Sequence, residues 1–300
     1  MSRTKKQAMG MTESLEQVAY QHTVLCQTCL PYRNPGDDVK EWKRKQGDVS
    51  LSIEALNIMD RRTDQWVNVG LPYGPKARLI ISNLNSEALK TGSPEIEVER
   101  SLTAFVRRLQ DPTKHGKSRP SGPQIGMFKN QLLRLSFAAI HMAMRFDERT
   151  LQVNSHFVGT LEFWSKKSGV ESNPWNDDFI WPQTLCLSQS YFENLQKHAV
   201  PLDERALAIL SNSAMALDIH AWLAQRLHRI PREKPQSVSW VALKAQFGPD
   251  FGRMVDFRAK FRATILQVLA CYSAAKVESS SKGLILRNSP PPVSARLSIA

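Results

Sequence analysis

Five side chains between positions 253 and 267 could hold a polyanion: Arg253, Arg258, Lys260, Arg262 and Gln267. An exposed arginine can donate two hydrogen bonds to guanine, and a lysine can meet a phosphate. Met254, Phe257, Phe261, Ile265 and Val268 recur among them at three- and four-residue intervals, the buried stripe of a helix. Arg258 and Arg262 flank that stripe on one side, and Arg253, Lys260 and Gln267 on the other. The stretch Ser279-Ser280-Ser281-Lys282-Gly283 then reads as a small polar hairpin tip with one cation, and Arg287 lies on the returning arm. A second set sits near position 125. Lys114, Lys117 and Arg119 lie on a loop, and Gln124, Lys129, Asn130 and Arg134 lie off an apolar face made by Ile125, Phe128, Leu132 and Leu135. Phe128, Phe257 and Phe261 fall on apolar stripes, which makes them core residues rather than platforms for bases.

The charge distribution points the same way. The chain has 300 residues and a formal net charge of +12. Residues 106–145 carry +7 and residues 239–300 carry +6, while the rest nearly balances. Two basic blocks on an otherwise balanced chain suggest a polyanion gripped at two places.

Other chemistries lack their residues. No two of the seven histidines stand at i, i+4, and no His-x-His occurs. A phosphate-binding Gly-x-x-x-x-Gly-Lys-Ser/Thr loop and a Gly-x-Ser-x-Gly elbow are also missing. Asp177-Asp178 is an isolated pair that reads as a turn. Cys26 and Cys29 form a C-x-x-C with no second pair, so free thiols are expected, with no metal and no cofactor. No apolar run approaches a membrane span and no secretory signal follows Lys5-Lys6, so the expected compartment is the cytoplasm, with no membrane partner.

The elements that must position these cations read as follows. Residues 1–14 are polar and expected to be disordered. Gln17–Tyr20 could begin a helix, while Asp48–Ile58 and Gln65–Val69 have strand character. Pro75 opens a helix that Gly92 ends. Glu95–Glu99 alternates as a strand, and Ser101 caps a second helix through Leu102, Phe105, Val106 and Leu109. After the loop at 111–123 a third helix runs to about Leu135. A hairpin of Ala139–Phe146 and Leu151–Trp164 follows. Residues 165–182 read as a linker. Leu185–Leu187 is a strand and Ser190–His198 a short helix. Leu207, Leu210, Ala214, Leu217, Ala221 and Ala224 predict one long helix ending before Pro231. A short helix, the basic helix and the final hairpin close the ordered part, and 290–300 is a flexible tail. The expected class is α+β, with two tandem winged-helix domains, 15–164 and 183–289, that repeat helix, helix, basic helix and hairpin.

Several long segments also resemble the plasmid-encoded RepA replication initiator family. They are LPYGPKARLIISNLNSEALKTGSPEIEVERSLTAFVRRL at 71–109, PLDERALAILSNSAMALDIHAWLAQRLHRIP at 201–231 and VSWVALKAQFG at 238–248. CQTCLPYRNPGD at 26–37 and NSPPP at 288–292 fit as well. The resemblance implies a non-enzymatic protein that binds repeated sites in double-stranded origin DNA, helps open the duplex and recruits the host initiator and replicative helicase. It also implies two winged-helix domains and a possible homodimer. The alternative is a winged-helix transcriptional repressor without initiator activity. A nuclease or primase finds no active-site residues to support it.

Overall fold

Strand β1 (Val18–His22) ends beside the far half of the chain, antiparallel to residues 199–203, with Val18 opposite Asp203 and His22 opposite Ala199. It stands where a helix was expected from Gln17. Four residues are too few to show a period, and a partner about 180 residues away supplies the hydrogen bonds. Helix α1 (Thr23–Thr28) follows, and the His22 ring accepts a hydrogen bond from the Val24 amide at 3.2 Å. A computed structural model describes residues 18–36, 38–60, 64–98, 106–107, 121–161, 164–165, 179–180 and 184–293. The expected disordered N-terminus, most of the Ser101 helix and the tail beyond Val293 lie outside the described residues.

The chain divides into two compact units. One is Leu30–His198, and the other joins the described parts of Met1–Cys29 and Ala199–Ala300. The sequence reading put the division at 165–182 and assigned residues 18–29 to the first domain. Burial explains the difference: Val24 and Cys26 are fully buried, and the Gln246 carboxamide donates to the Gln27 carbonyl at 2.8 Å.

In the unit 30–198 the elements are β2 (Glu41–Gln46), β3 (Val49–Ala55), β4 (Asn57–Asp60), β5 (Gln65–Asn68), α2 (Gly74–Thr91), β6 (Glu95–Glu97) and α3 (Gly122–Ser136). Then come β7 (Ala138–Phe146), β8 (Arg149–His156), β9 (Val158–Leu161), β10 (Trp164–Ser165), β11 (Phe179–Ile180), β12 (Thr184–Leu187) and α4 (Gln189–His198). Helix α2 keeps its predicted limits: Pro75 stands in its first turn and Gly92 closes it in the left-handed region at φ 68°. Strands β2, β3, β7 and β8 form one antiparallel sheet in that order. One face buries Val49, Leu51, Ile53, Ile140, Met142, Met144 and Val153, as alternation requires.

The expected second strand, 151–164, is broken. At Phe157 the chain leaves β8 and enters another sheet, of order β6-β12-β9. The Phe157 amide donates to the Ala138 carbonyl at 3.0 Å, and its buried ring meets Tyr191 edge-on at 4.9 Å. Strand β9 pairs with β12 and β10 with β11, so Ser165 and Phe179–Ile180, which the expected linker included, are paired strand, while the rest of that linker up to position 182 lies outside the described residues.

The other unit continues with β13 (Ala199–Asp203), α5 (Glu204–Ile209), α6 (Ala214–Arg226), β14 (Gln236–Ser239), α7 (Trp240–Phe247), α8 (Met254–Cys271), β15 (Val277–Ser279) and β16 (Gly283–Leu286). The predicted long helix is interrupted between α5 and α6. The Ser213 hydroxyl accepts from the Ala216 amide at 3.2 Å, so Ser213 caps a new helix. Every residue of α6 except Arg226 is buried. Its Trp222 meets Phe247, and Phe247, Phe261 and Phe257 follow in a chain with neighbouring ring centres 5.3–5.7 Å apart. Each such ring stabilises the unit by about 1.5–3 kcal/mol through burial. The sheet order is β14-β16-β15. Both units therefore contain a three-stranded sheet in which the strand before the basic helix pairs with the last strand of the hairpin after it.

Candidate nucleic-acid interface

Helix α8 buries Phe257, Phe261, Thr264, Ile265 and Val268 and turns its cations outward. Ser239 caps α7 by accepting from the Ala242 amide at 3.2 Å, which sets Trp240 at the first helical position. The Trp240 ring is 1% exposed and packs edge-on against Phe261 at 5.9 Å. The guanidinium groups of Arg258 and Arg262 both lie over this ring, at 5.6 and 5.1 Å from its centre. The indole N–H donates to the Ser280 carbonyl at 3.2 Å, and the Trp240 amide donates to the Lys282 carbonyl at 3.2 Å. Trp240 thus joins the basic helix to the hairpin tip. Cation–π contact holds the two guanidinium planes without consuming their outer N–H donors. Inside the hairpin the Ser280 hydroxyl accepts from the amides of Lys282 and Gly283, at 3.2 and 3.1 Å.

Not every predicted cation has this freedom. Arg253 is exposed but makes a two-point ion pair with Asp256, at 2.7 and 2.8 Å, and Arg287 pairs with Glu278 at 3.0 Å. Lys260, Arg262, Gln267 and Lys282 are exposed, and the three cations have no ion pair among the described residues. Arg258 is half-buried, and its Nε has no hydrogen-bond partner among the described residues.

The first basic helix, α3, corrects the reading further. Its stripe is buried as expected at Phe128, Leu132 and Leu135. Gln124, however, is spent on the helix start: its Oε1 accepts from the Ser121 amide at 2.9 Å in a capping box. Arg134 is 6% exposed, so it cannot reach a duplex. It donates to the Leu71 carbonyl at 3.1 Å and to Asn130 at 2.8 Å, and it lies over the Tyr73 ring at 5.2 Å. Gly70, at φ 75°, leaves no room for a Cβ beside that guanidinium. Asn130 is therefore occupied as well. Lys129 is half-buried with partners of its own. Lys114, Lys117 and Arg119 lie outside the described residues.

Among the described residues no group of three or more His, Cys, Asp or Glu side chains is placed to hold a metal ion, and no helix is long and apolar enough to cross a membrane. Cys26 and Cys29 are buried and form no disulfide, and burial pushes the Cys26 thiol well up. The residue that sequence reasoning missed is Trp240. It lies 18 and 22 positions before the arginines it carries, so no local period could connect them.

Comparison with known proteins agrees with this architecture. Selenomethionine derivatives of domains 2 and 3 of RctB have a crystal structure similar to this chain, with a TM-score of 0.52 at 10% identity, covering 89% of this chain and 98% of that one. A second RctB structure, of residues 155–483, has a TM-score of 0.49 at 12% identity over 86% and 85% of the two chains. No curated protein matches in sequence. Residues 71–242, more than half of the chain, match the family described as plasmid encoded RepA protein. The chain belongs to the plasmid-encoded RepA replication initiator family.

Proposed function

We propose that this chain starts plasmid replication by binding repeated sites in double-stranded origin DNA, helping to open the duplex and recruiting the host initiator and replicative helicase. It acts in the bacterial cytoplasm by binding rather than by catalysis. In this reading α6, β14, α7, α8, β15 and β16 make a winged helix: α8 enters a major groove and the β15–β16 hairpin rests on the adjacent backbone. The repeated sheet order, β14-β16-β15 and β6-β12-β9, supports a second module of similar plan in the unit 30–198. The observation that carries the proposal is the Trp240 junction, which holds Arg258 and Arg262 over one ring and ties that ring to the hairpin tip at Ser280 and Lys282.

Footprinting on the origin of the plasmid that encodes this chain tests the proposal. The expected result is protection of repeated sites at salt concentrations where random DNA of equal length is bare. With 6–10 phosphate contacts, affinity falls about 10³–10⁵-fold between 50 and 200 mM salt. Protection no better than on random DNA refutes the proposal. A plasmid carrying only the origin, with the protein supplied from elsewhere, must then replicate; specific binding without replication identifies a repressor instead.

A further inference from the structure

The outward face of α8 has a chemistry that the cations do not explain. Val255, Ala259, Ala263 and Leu266 follow one another at intervals of four, four and three residues, on the side opposite the buried Phe257–Phe261–Ile265 stripe. All four are exposed; Val255 is 62% and Leu266 68% exposed, among the largest apolar exposures in the chain. Arg262 borders this line on one side, and Lys260 and Gln267 border it on the other. Asp256, the acidic residue of α8, is held by Arg253.

A line of small and apolar side chains bracketed by cations suits the floor of a major groove. There the apolar atom on offer is the thymine C5-methyl group, which alanine and similar side chains contact directly. The two alanines let the helix backbone come close to the base edges. No side chain on the line itself can make the two-point contact to adenine that asparagine or glutamine makes. The line spans 12 residues from Val255 to Leu266, roughly 16 Å of helix, or about five base pairs at 3.4 Å per step.

We propose that Val255, Ala259, Ala263 and Leu266 determine specificity by contacting thymine methyl groups, and that Arg262 supplies the polar contact beside them. This rests on the reading of α8 as a groove-binding helix. The charge around the line selects the occupant: an apolar protein groove would have to accept three neighbouring cationic or amide side chains, whereas a duplex offers phosphates on both sides of its methyl groups.

The test uses the full chain and needs no knowledge of the natural site. Duplexes are selected from a randomised pool, and the best binder is resynthesised with each thymine replaced singly by deoxyuridine, which removes only the methyl. Replacement at the contacted positions should weaken binding about 4-fold per methyl. Val255→Ser or Leu266→Ser should abolish the loss at its own position and leave the other losses intact. Both substitutions are on the surface, and unchanged thermal unfolding verifies the fold. Equal affinity for thymine and deoxyuridine duplexes overturns the inference but leaves DNA binding standing. Losses that are identical in wild type and both variants also overturn it, because the methyl then acts through DNA shape. A pool that yields no sequence above the non-specific level removes the underlying reading as well.

Discussion

Replacing Arg258 and Arg262 together by alanine separates the recognition surface from the fold that carries it. Both guanidinium groups lie over Trp240, so their removal also costs two cation–π contacts, about 0.5–1 kcal/mol each at such sites. Trp240 itself stays packed against Phe261 and bonded to Ser280, so the core survives and the melting temperature should fall by only about 2–8 °C. Binding should suffer far more. A lost contact to a base edge costs about 1–3 kcal/mol, so the pair should weaken specific binding between about 30-fold and 10⁴-fold. The assay is a fluorescence anisotropy titration of an origin repeat and of a scrambled duplex at fixed salt. Arg253→Ala serves as the control: its charge is already matched by Asp256, so specific affinity should change less than about 3-fold. A folded double variant that binds the repeat as tightly as wild type would show that recognition lies elsewhere. An equal loss on both duplexes would reassign the two arginines from bases to phosphates.

Further outcomes follow from other contacts. Trp240→Phe keeps a ring beneath the arginines but deletes the donor to the Ser280 carbonyl; urea unfolding should register about 0.5–1.5 kcal/mol, and amide hydrogen exchange at 279–283 should rise. Arg134→Ala removes buried bonds to Leu71 and Asn130 and should cost at least about 2 kcal/mol of stability while leaving the DNA affinity of the folded protein unchanged. His220 is fully buried, both ring nitrogens lack hydrogen-bond partners among the described residues, and burial lowers its pKa from 6.5 to about 4. The unfolded chain therefore binds the proton first: the contribution is intact above pH 6.5 and is lost as pH falls toward 4, by about 3 kcal/mol. Urea midpoints measured across that range should drop in the wild type and drop less in His220→Phe.

Local rules were legible wherever the signal was local. Pro75 and Gly92 bound α2 as predicted because a missing N–H and a left-handed backbone act on their own residues. The stripes of α3 and α8 are buried where their periods placed them except at Ile125 and Met254, which are half-buried. Elements that depend on distant partners were not legible. Strand β1 is a strand because residues 199–203 lie beside it, and Ser165 and Phe179–Ile180 are strand because β10 and β11 pair with each other. Ser213 breaks a continuous apolar period with a single capping bond, which outweighs a small propensity difference.

The sequence by itself determined the family, through long segments that resemble it, and the α+β class, the buried stripes and the basic character of α8, through composition and short spacings. Only the tertiary structure decided which cations remain available. Arg134 and Arg262 look alike in the sequence, each an arginine beside an apolar stripe. One is enclosed by Leu71, Tyr73 and Gly70, and the other lies on the outer side of Trp240. Burial depends on what the rest of the chain brings against a helix, and the spacing along that helix does not contain this information.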